Sequence, residues 1–319
     1  MSIIDLHIDT LPWLLLGYDI KKRHSFKFSL PFFHLDIPRL KESRLKAIFL
    51  GLVSPPFKKE FSWKIILKEI EAYKRLLRDY SIFVKGENYR DIEYAEREDK
   101  IALFLGLEGL HPLGDDLGTV IERLEFLKEN NVKYVTLVHF CRSIAGVPQK
   151  GIGSNPSEGL SIHGREIIER LNQLKILVDL SHINKRGFLD AIKYLRYPPI
   201  VSHTGIKGVY DHWRNIDDEE IKAVAERGGI IGIMFSKRFL GGEDEKIVAS
   251  HFKYLKDKGG IDVVAIGSDF DGLVTPPSFI KDITGIKLLL ERLKRYGFTE
   301  REIELIASGN VLRVLKELE

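Results

Sequence analysis

The chain has 319 residues, 44% of them hydrophobic and 30% charged, a composition typical of a globular protein with a large core. Its 49 Lys and Arg residues nearly balance 46 Asp and Glu residues, so the net charge is only +3 and nucleic acid is not an expected partner. The single cysteine, Cys141, excludes an intramolecular disulfide and a multi-cysteine zinc site.

Short apolar runs rich in β-branched residues recur along the chain, and each is followed by a helical pattern. The eight runs are Ile3–Ile8, Ala47–Val53, Ile101–Leu107, Tyr134–Val138, Ile176–Leu180, Ile200–Ser202, Gly229–Phe235 and Val263–Ile266. Apolar strands that alternate with helices indicate a parallel sheet covered by helices. Eight such units without a linker predict a single α/β domain over residues 1–319, a (β/α)8 TIM-type barrel, with a doubly wound open sheet as the alternative.

Three segments between and after these strands are also predicted. The stretch from about Leu11 to Lys46 is expected to carry a loop insertion over one end of the fold. The acidic run Asp217–Glu220 suits the first turn of a helix, because acidic side chains complement the helix dipole there. The closing segment, Thr299–Glu319, predicts a C-terminal helical extension of two short helices broken at Ser308-Gly309.

Polar residues follow six of the eight predicted strands. Each alone would most often be a solvated or core residue, but barrel enzymes assemble their active sites where the strands end. Six strands that end in such residues, at the same end of the fold, therefore predict a shared site. The residues are His7 and Asp9, Glu108, His139, His182, His203 and Asp269.

Imidazole and carboxylate are ligands that suit Zn²⁺, and they also suit Mn²⁺ or Co²⁺. Two ions at a short distance need a bridging ligand and can hold a hydroxide between them, and a carboxylate such as Glu108 can bridge. His7 and Asp9 lie two apart on one strand and so face the same way, which places them on one ion. His182 and His203 then bind the second ion. The prediction is two Zn²⁺ per chain, with Glu108 shared.

This division leaves two residues for the chemistry of hydrolysis. Asp269 is placed to take a proton from the attacking water and pass it to the leaving amine. His139 is placed to donate to the oxyanion of a tetrahedral intermediate.

The segments around these residues have a familiar order. They are Asp5–Leu11, Leu107–Gly109, Gly164–Glu166, Val178–His182, Val201–Thr204, Asp211–Asn215, Glu226–Gly232, Gly267–Gly272 and Gly309–Arg313. Together they span nearly the whole chain. The sequence resembles the membrane (renal) dipeptidase family, dinuclear zinc peptidases of the amidohydrolase superfamily.

The resemblance implies a zinc-dependent dipeptidase with the same ligand set. It also implies that Asp269 handles the proton beside the bridging hydroxide and that His139 contacts the scissile group. Arg214 is implied to pair with the C-terminal carboxylate of the substrate, a role that suits a guanidinium fork. Without the resemblance, Arg214 would be taken for a surface arginine.

Two departures from the family pattern stand out. Ile8 occupies a position where many members carry Asn, and its side chain is expected to face away from the metals. Met234-Phe235-Ser236 stands where many members carry Asn-Phe-Tyr, so a tyrosine that contacts substrate is expected to be missing.

Two other functions remain open on the sequence. One is an amidohydrolase that acts on another small amide, an N-acyl amino acid or a lactam; the other is a non-catalytic barrel that binds metal or ligand. We expect a small dipeptide as substrate and a homodimer as the assembly. No apolar stretch approaches the roughly 18 residues of a membrane span and no leader segment is recognisable, so we expect no membrane partner and a cytoplasmic location.

Several further residues are given structural roles. Cys141 is expected to be structural, because a metal site makes a thiol nucleophile unnecessary. Asp271 and His212 are expected to order loops or to support ligands rather than to bind metal. The surface or loop histidines are predicted to be His111, His163 and His251.

Overall fold

Apolar strands and amphipathic helices alternate throughout the chain, in a computed structural model that describes residues 2–24, 33–56 and 59–319. The strands are β1 (Ile3–Ile8), β2 (Leu45–Leu52), β3 (Phe83–Lys85), β4 (Ile101–Leu107), β5 (Val132–Thr136), β6 (Leu177–Asp179), β7 (Ile200–Thr204), β8 (Ile230–Ile233) and β9 (Val264–Ile266). The helices are α1 (Thr10–Leu15), α2 (Ile37–Glu42), α3 (Lys59–Asp79), α4 (Tyr89–Arg97), α5 (Leu117–Glu129), α6 (Ile162–Leu174), α7 (Lys185–Ile192), α8 (Asp218–Glu226), α9 (Lys237–Leu240), α10 (Glu245–Gly259), α11 (Gly285–Leu293), α12 (Glu300–Glu304) and α13 (Asn310–Lys316).

Eight of these strands form one parallel sheet in the order β1-β2-β4-β5-β6-β7-β8-β9. The ends of the sheet meet where the backbone N–H of Asp9 donates to the Phe270 carbonyl (2.8 Å) and that of Asp269 donates to the His7 carbonyl (3.0 Å). The sheet is therefore a nearly closed barrel, and the (β/α)8 prediction is confirmed. The strand β3 was not predicted, because three residues are too few to show a periodic pattern; it pairs with β4 outside the barrel path.

Two apolar layers hold the barrel together. Inside it, the ring centroid of Phe49 lies 4.8 Å from that of Phe104 and 5.8 Å from that of Tyr134. Residues of opposite parity, such as Ile48 and Leu50, are buried between the strands and the surrounding helices. Because aromatic rings fill the barrel interior, polar groups are left to gather at the carboxyl ends of the strands.

The predicted helix features agree with the structure, with one exception. The Asp217 side chain caps α8 and accepts from the backbone N–H groups of Glu219 and Glu220, as the acidic run indicated. The C-terminal helices are present, but the break predicted at Ser308-Gly309 is wrong. A π-helical turn over Leu305–Gly309 continues α12 into α13, since the wider turn accommodates the extra residue without ending the helix.

The insertion between the first two barrel strands contains α1 and α2, while its residues 25–32 lie outside the described residues. Among the helices that the structure describes, none combines the length and the apolar character needed to cross a bilayer.

Candidate metal centre

The carboxylate of Glu108, just beyond β4, lies at the centre of the site. Its Oε1 is 3.0 Å from Nε2 of His182, 3.4 Å from Nε2 of His203 and 3.7 Å from Nε2 of His7. Its Oε2 is 3.3 Å from Nε2 of His139. Four imidazoles from four different strand ends therefore surround one buried carboxylate.

The two remaining strand-end carboxylates lie beside His7. Oδ1 of Asp9 is 3.1 Å from Nε2 of His7. Asp269 joins this pair through the barrel closure, and candidate ligand atoms of the three residues lie within 4.8 Å of one another. The structure thus brings together all seven residues that the sequence analysis placed at strand ends.

Within the described residues, the ligand atoms form three overlapping groups. They are His7 with Glu108 and His203, Glu108 with His139 and His182, and His7 with Asp9 and Asp269. Glu108 belongs to two of these groups, in keeping with a bridging position. His203 groups with His7, and none of the three groups contains both His203 and His182. The assignment of individual residues to each ion therefore stays a prediction.

The residues fit a divalent metal ion. Nε2 of His7 and Oδ1 of Asp9 are buried, and neither makes a hydrogen bond with the described part of the chain. Buried polar atoms are nearly always satisfied, so an imidazole nitrogen and a carboxylate oxygen 3.1 Å apart without a hydrogen bond suit a shared divalent cation.

The electrostatics of the cluster agree with this fit. Burial raises the pKa of Glu108 well above its usual value, and the nearby charge of Asp9 raises it further. Burial and Asp9 likewise raise the pKa of Asp269 to about 8. Burial by itself would lower the pKa of His7, but the carboxylates of Asp9, Glu108 and Asp269 outweigh it and raise the value to about 10. The buried carboxylates of the cluster are therefore stabilised by positive charge placed among them.

Two hydrogen-bond networks orient the imidazoles from behind. The Tyr134 hydroxyl donates to the Leu6 carbonyl (3.0 Å) and lies 2.6 Å from Nδ1 of His7. Since its one proton is used on Leu6, the Tyr134 oxygen accepts from Nδ1–H of His7. This leaves Nε2 of a neutral His7 available for a metal.

The second network orients His203. The Ser202 hydroxyl donates to Asp179 Oδ2 (2.7 Å) and lies 3.0 Å from Nδ1 of His203, so the same argument leaves Nε2 for a metal. Sequence reasoning missed Tyr134, Ser202 and Asp179. The available signal was the position of Asp179, a carboxylate inside an otherwise apolar strand.

Arg214 is buried beside the histidines and does not lie on the surface. Its side chain is fully buried, and Nη2 donates to the His203 carbonyl (2.9 Å) and contacts Nε2 of His182 (3.1 Å). The surface position that residue patterns alone would suggest is wrong. Its other guanidinium nitrogens make no hydrogen bond with the described residues, although Arg214 lines the cavity above the cluster.

The loops at this end are held by the supporting residues. Asp271 accepts from the Thr10 hydroxyl (2.6 Å) and the His34 backbone N–H (2.6 Å), and His212 Nδ1 accepts from the Arg214 N–H (3.2 Å). The loop-ordering roles predicted for Asp271 and His212 agree with these contacts.

The positions of the three histidines outside the cluster that were assigned to the surface or to loops were only partly predicted. His163 is exposed as expected, but His111 and His251 are buried and the surface assignment is wrong for both. His111 contacts the Ser54 hydroxyl at 3.1 Å and stacks on His139, while His251 Nδ1 accepts from the Ile206 N–H. Their hydrogen bonds join distant loops, which no local pattern reveals.

The cluster forms the floor of a cavity of about 1080 Å³. Five acidic residues line it together with Arg214: Asp9, Glu108, Glu243, Asp269 and Asp271. The aromatic side chains of the cavity wall are Trp13, Phe140, Tyr210 and Phe239. The cavity therefore has a charged floor and an apolar rim.

Comparison with known proteins places this site in a family. A family model described as membrane dipeptidase (peptidase family M19) matches residues 1–319. A dipeptidase structure described as a metallo peptidase of family M19 is 25% identical, with a TM-score of 0.85, over 99% of this chain and 98% of that one.

Two further structures share the fold. A metallo peptidase from Rhodobacter sphaeroides, liganded with a phosphinate mimic of the dipeptide L-Ala-D-Ala, is 23% identical over 100% of this chain and 99% of that one, with a TM-score of 0.86. A probable dipeptidase, PvdM from Pseudomonas aeruginosa, is 19% identical over 100% of this chain and 95% of that one, with a TM-score of 0.87. With its fold, its metal-binding cluster and a family match over the full length, this chain belongs to the membrane dipeptidase family, peptidase family M19, and is a metal-dependent dipeptidase.

Proposed function

We propose that this dipeptidase works with two zinc ions held by five residues of the cluster. The observation that carries the proposal is the central position of Glu108, whose Oε1 lies within 3.7 Å of three imidazole nitrogens. A carboxylate so placed suits a bridge between two ions. The ligands are His7, Asp9, Glu108, His182 and His203.

The contacts around His182 also bear on metal binding. Its Nε2 lies 2.9 Å from Nε2 of His203 and 3.1 Å from Nη2 of Arg214. An imidazole nitrogen has one lone pair, so a metal on Nε2 of His182 replaces both contacts. Metal binding would therefore release Nη2 of Arg214 from His182.

Zinc bound here would polarise the scissile carbonyl and activate a water molecule as nucleophile near neutral pH. Asp269, which adjoins His7 and Asp9, accepts the proton of the attacking water on its carboxylate and delivers it to the leaving amine. His139, with Nε2 beside Glu108, donates to the developing oxyanion.

Arg214 recognises the free carboxylate at the C-terminus of the substrate. A guanidinium in the cavity wall whose other nitrogens make no hydrogen bond with the described residues suits a carboxylate. Because the substrate must present a free carboxylate to Arg214, substrates are limited to the length of a dipeptide. We propose an L-Xaa–Xaa dipeptide as substrate, with tolerance for a D-residue at the C-terminal position. The dipeptide mimic bound by the Rhodobacter sphaeroides metallo peptidase supports such a substrate.

Metal removal and reconstitution test the proposal. Exhaustive chelation should abolish dipeptide hydrolysis, and added Zn²⁺ should restore it with two ions bound per chain. Mn²⁺ and Co²⁺ serve as parallel additions, because they share the preference for these ligands. Full activity after chelation would contradict the metal mechanism, and a single bound ion at full activity would contradict the dinuclear site.

A substrate panel tests the chemistry. Dipeptides should be hydrolysed faster than N-acyl amino acids, which lack the free α-amino group that the acidic floor of the cavity suits. They should also be hydrolysed faster than simple lactams, which lack a free carboxylate for Arg214. Faster turnover of the N-acyl amino acids would assign the chain to another small amide. The cytoplasmic location and the homodimer stay predictions, and sedimentation of the purified protein measures the second.

A further inference from the structure

A second arginine lines the same cavity as Arg214. Arg238 lies on α9, which directly follows β8, so it enters the site from the carboxyl end of the barrel. Its side chain is exposed and makes no ion pair with the described residues. The neighbouring Lys237, in contrast, lies 3.6 Å from the carboxylate of Glu243.

The short helix that carries Arg238 is held from three directions. The Lys237 backbone N–H donates to the Thr275 carbonyl (3.0 Å). The Asn215 side chain donates to the Phe239 carbonyl (2.8 Å), and His251 Nε2 donates to the Leu240 carbonyl (3.0 Å). These contacts fix the backbone that carries Arg238, so only its side chain has to be ordered when a ligand binds.

Arg238 also lies against an aromatic ring, with its guanidinium carbon 5.7 Å from the centroid of Phe239. Ser236, immediately before the helix, is buried and lines the cavity with a small side chain. The wall at this point therefore combines an unpaired cation with space for a substrate side chain.

The position of Arg238 relates it to one end of the substrate. Arg214 follows β7 and Arg238 follows β8, and these two strands are adjacent in the barrel. A dipeptide whose C-terminal carboxylate is held by Arg214 places its C-terminal residue on the side of the cavity where β7 and β8 end. Among the acidic residues that line the cavity, Asp9, Glu108 and Asp269 belong to the floor, Asp271 accepts hydrogen bonds from Thr10 and His34, and Glu243 pairs with Lys237.

We infer that Arg238 is a specificity-determining residue that selects dipeptides with an acidic C-terminal residue, Asp or Glu. The inference rests on the proposed function, because it uses the orientation that Arg214 sets. The side-chain carboxylate of the substrate pairs with the Arg238 guanidinium while its main-chain carboxylate stays on Arg214.

The test compares Ala-Glu with Ala-Gln of the same configuration, which differ only in the charge of the second side chain. In the zinc-loaded enzyme, kcat/KM should be about fivefold higher for Ala-Glu, the effect of one solvent-accessible ion pair. Arg238→Gln should bring the ratio to about one, and Arg238→Lys should restore part of it. Added salt should lower the ratio in the wild-type enzyme, because the pair is exposed to solvent.

The matched control is the double substitution Lys237→Gln and Glu243→Gln, which removes the neighbouring ion pair without changing net charge. It should leave the ratio of Ala-Glu to Ala-Gln unchanged. An equal loss in this control, or no loss in Arg238→Gln, would overturn the role of Arg238.

Two further results separate the possibilities. A preference for Glu-Ala over Gln-Ala in place of the Ala-Glu preference would overturn the assignment to the C-terminal residue. Absence of turnover on both Ala-Glu and Ala-Gln would count against the proposed function itself, whereas equal turnover of the two dipeptides would overturn only the inference about Arg238.

Discussion

The hydroxyl of Tyr134 lies 2.6 Å from Nδ1 of His7, on the side of the imidazole that faces away from the carboxylates. The two residues are 127 positions apart, and the barrel brings them together because β5 and β1 enclose the same interior. This contact determines which nitrogen of a neutral His7 is free for a metal.

Replacing Tyr134 by Phe should weaken metal binding about 10- to 100-fold, as expected when a hydrogen bond that orients a metal-binding histidine is lost. A competition titration with a chromogenic chelator measures the affinity. Tyr73→Phe is the control, since the Tyr73 hydroxyl donates to the Leu103 carbonyl without contacting the cluster. Equal metal affinity in Tyr134→Phe and wild type would refute the orienting role.

Gly51 should tolerate no side chain, because a Cβ there would overlap Oδ1 of Asp9 and lie 3.1 Å from Cε1 of His7. Gly51→Ala should displace Asp9 and lower metal affinity at least about tenfold, within the range of overpacking penalties. Gly146→Ala is the matched control, with 3.7 Å to its nearest neighbour, Ile183 Cδ1. Metal titration together with near-ultraviolet circular dichroism separates a lost ligand from a lost fold.

Arg214→Met keeps much of the side-chain volume but removes the charge. We expect KM for a dipeptide to rise about 10- to 100-fold, the effect of losing a charged hydrogen bond, with a much smaller change for the same dipeptide amidated at its C-terminus. Steady-state kinetics on the two substrates gives the comparison. An equal loss on both would mean that Arg214 supports the site without binding the carboxylate.

Glu220 should make stability depend on pH. Burial raises its pKa from 4.5 to about 7, more than the hydrogen bond from the Asp217 N–H lowers it. Between these values the folded state holds a proton that the unfolded state has lost, so the contribution of Glu220 to stability is greatest below pH 4.5 and falls as the pH rises to 7.

Glu220→Gln should remove this fall, on the order of 3 kcal/mol across that range. Denaturant unfolding at several pH values measures it, and Glu226→Gln, at the exposed end of the same helix, should keep the wild-type slope. A wild-type slope in Glu220→Gln would contradict the assignment.

Much of the site was predictable because its signals are local. A strand of β-branched residues that ends in Glu108, or in His182, is visible in a few consecutive letters, and parallel strands bring such endings to one rim. The same logic brought the candidate ligands together without any knowledge of register.

The supporting residues were not predictable in that way. Tyr134 and Arg214 are unremarkable in sequence, since their partners lie on other strands. The burial of His111 and His251 likewise depends on loops that meet only in the folded barrel.

The sequence by itself determined the alternation of strands and helices and the polar residue at each strand end, because both follow from side-chain periodicity along one segment. Only the tertiary structure decided that Arg214 is buried against His182 and that Arg238 lines the same cavity. Such contacts depend on strand order and on how the barrel closes, and no single segment contains that information.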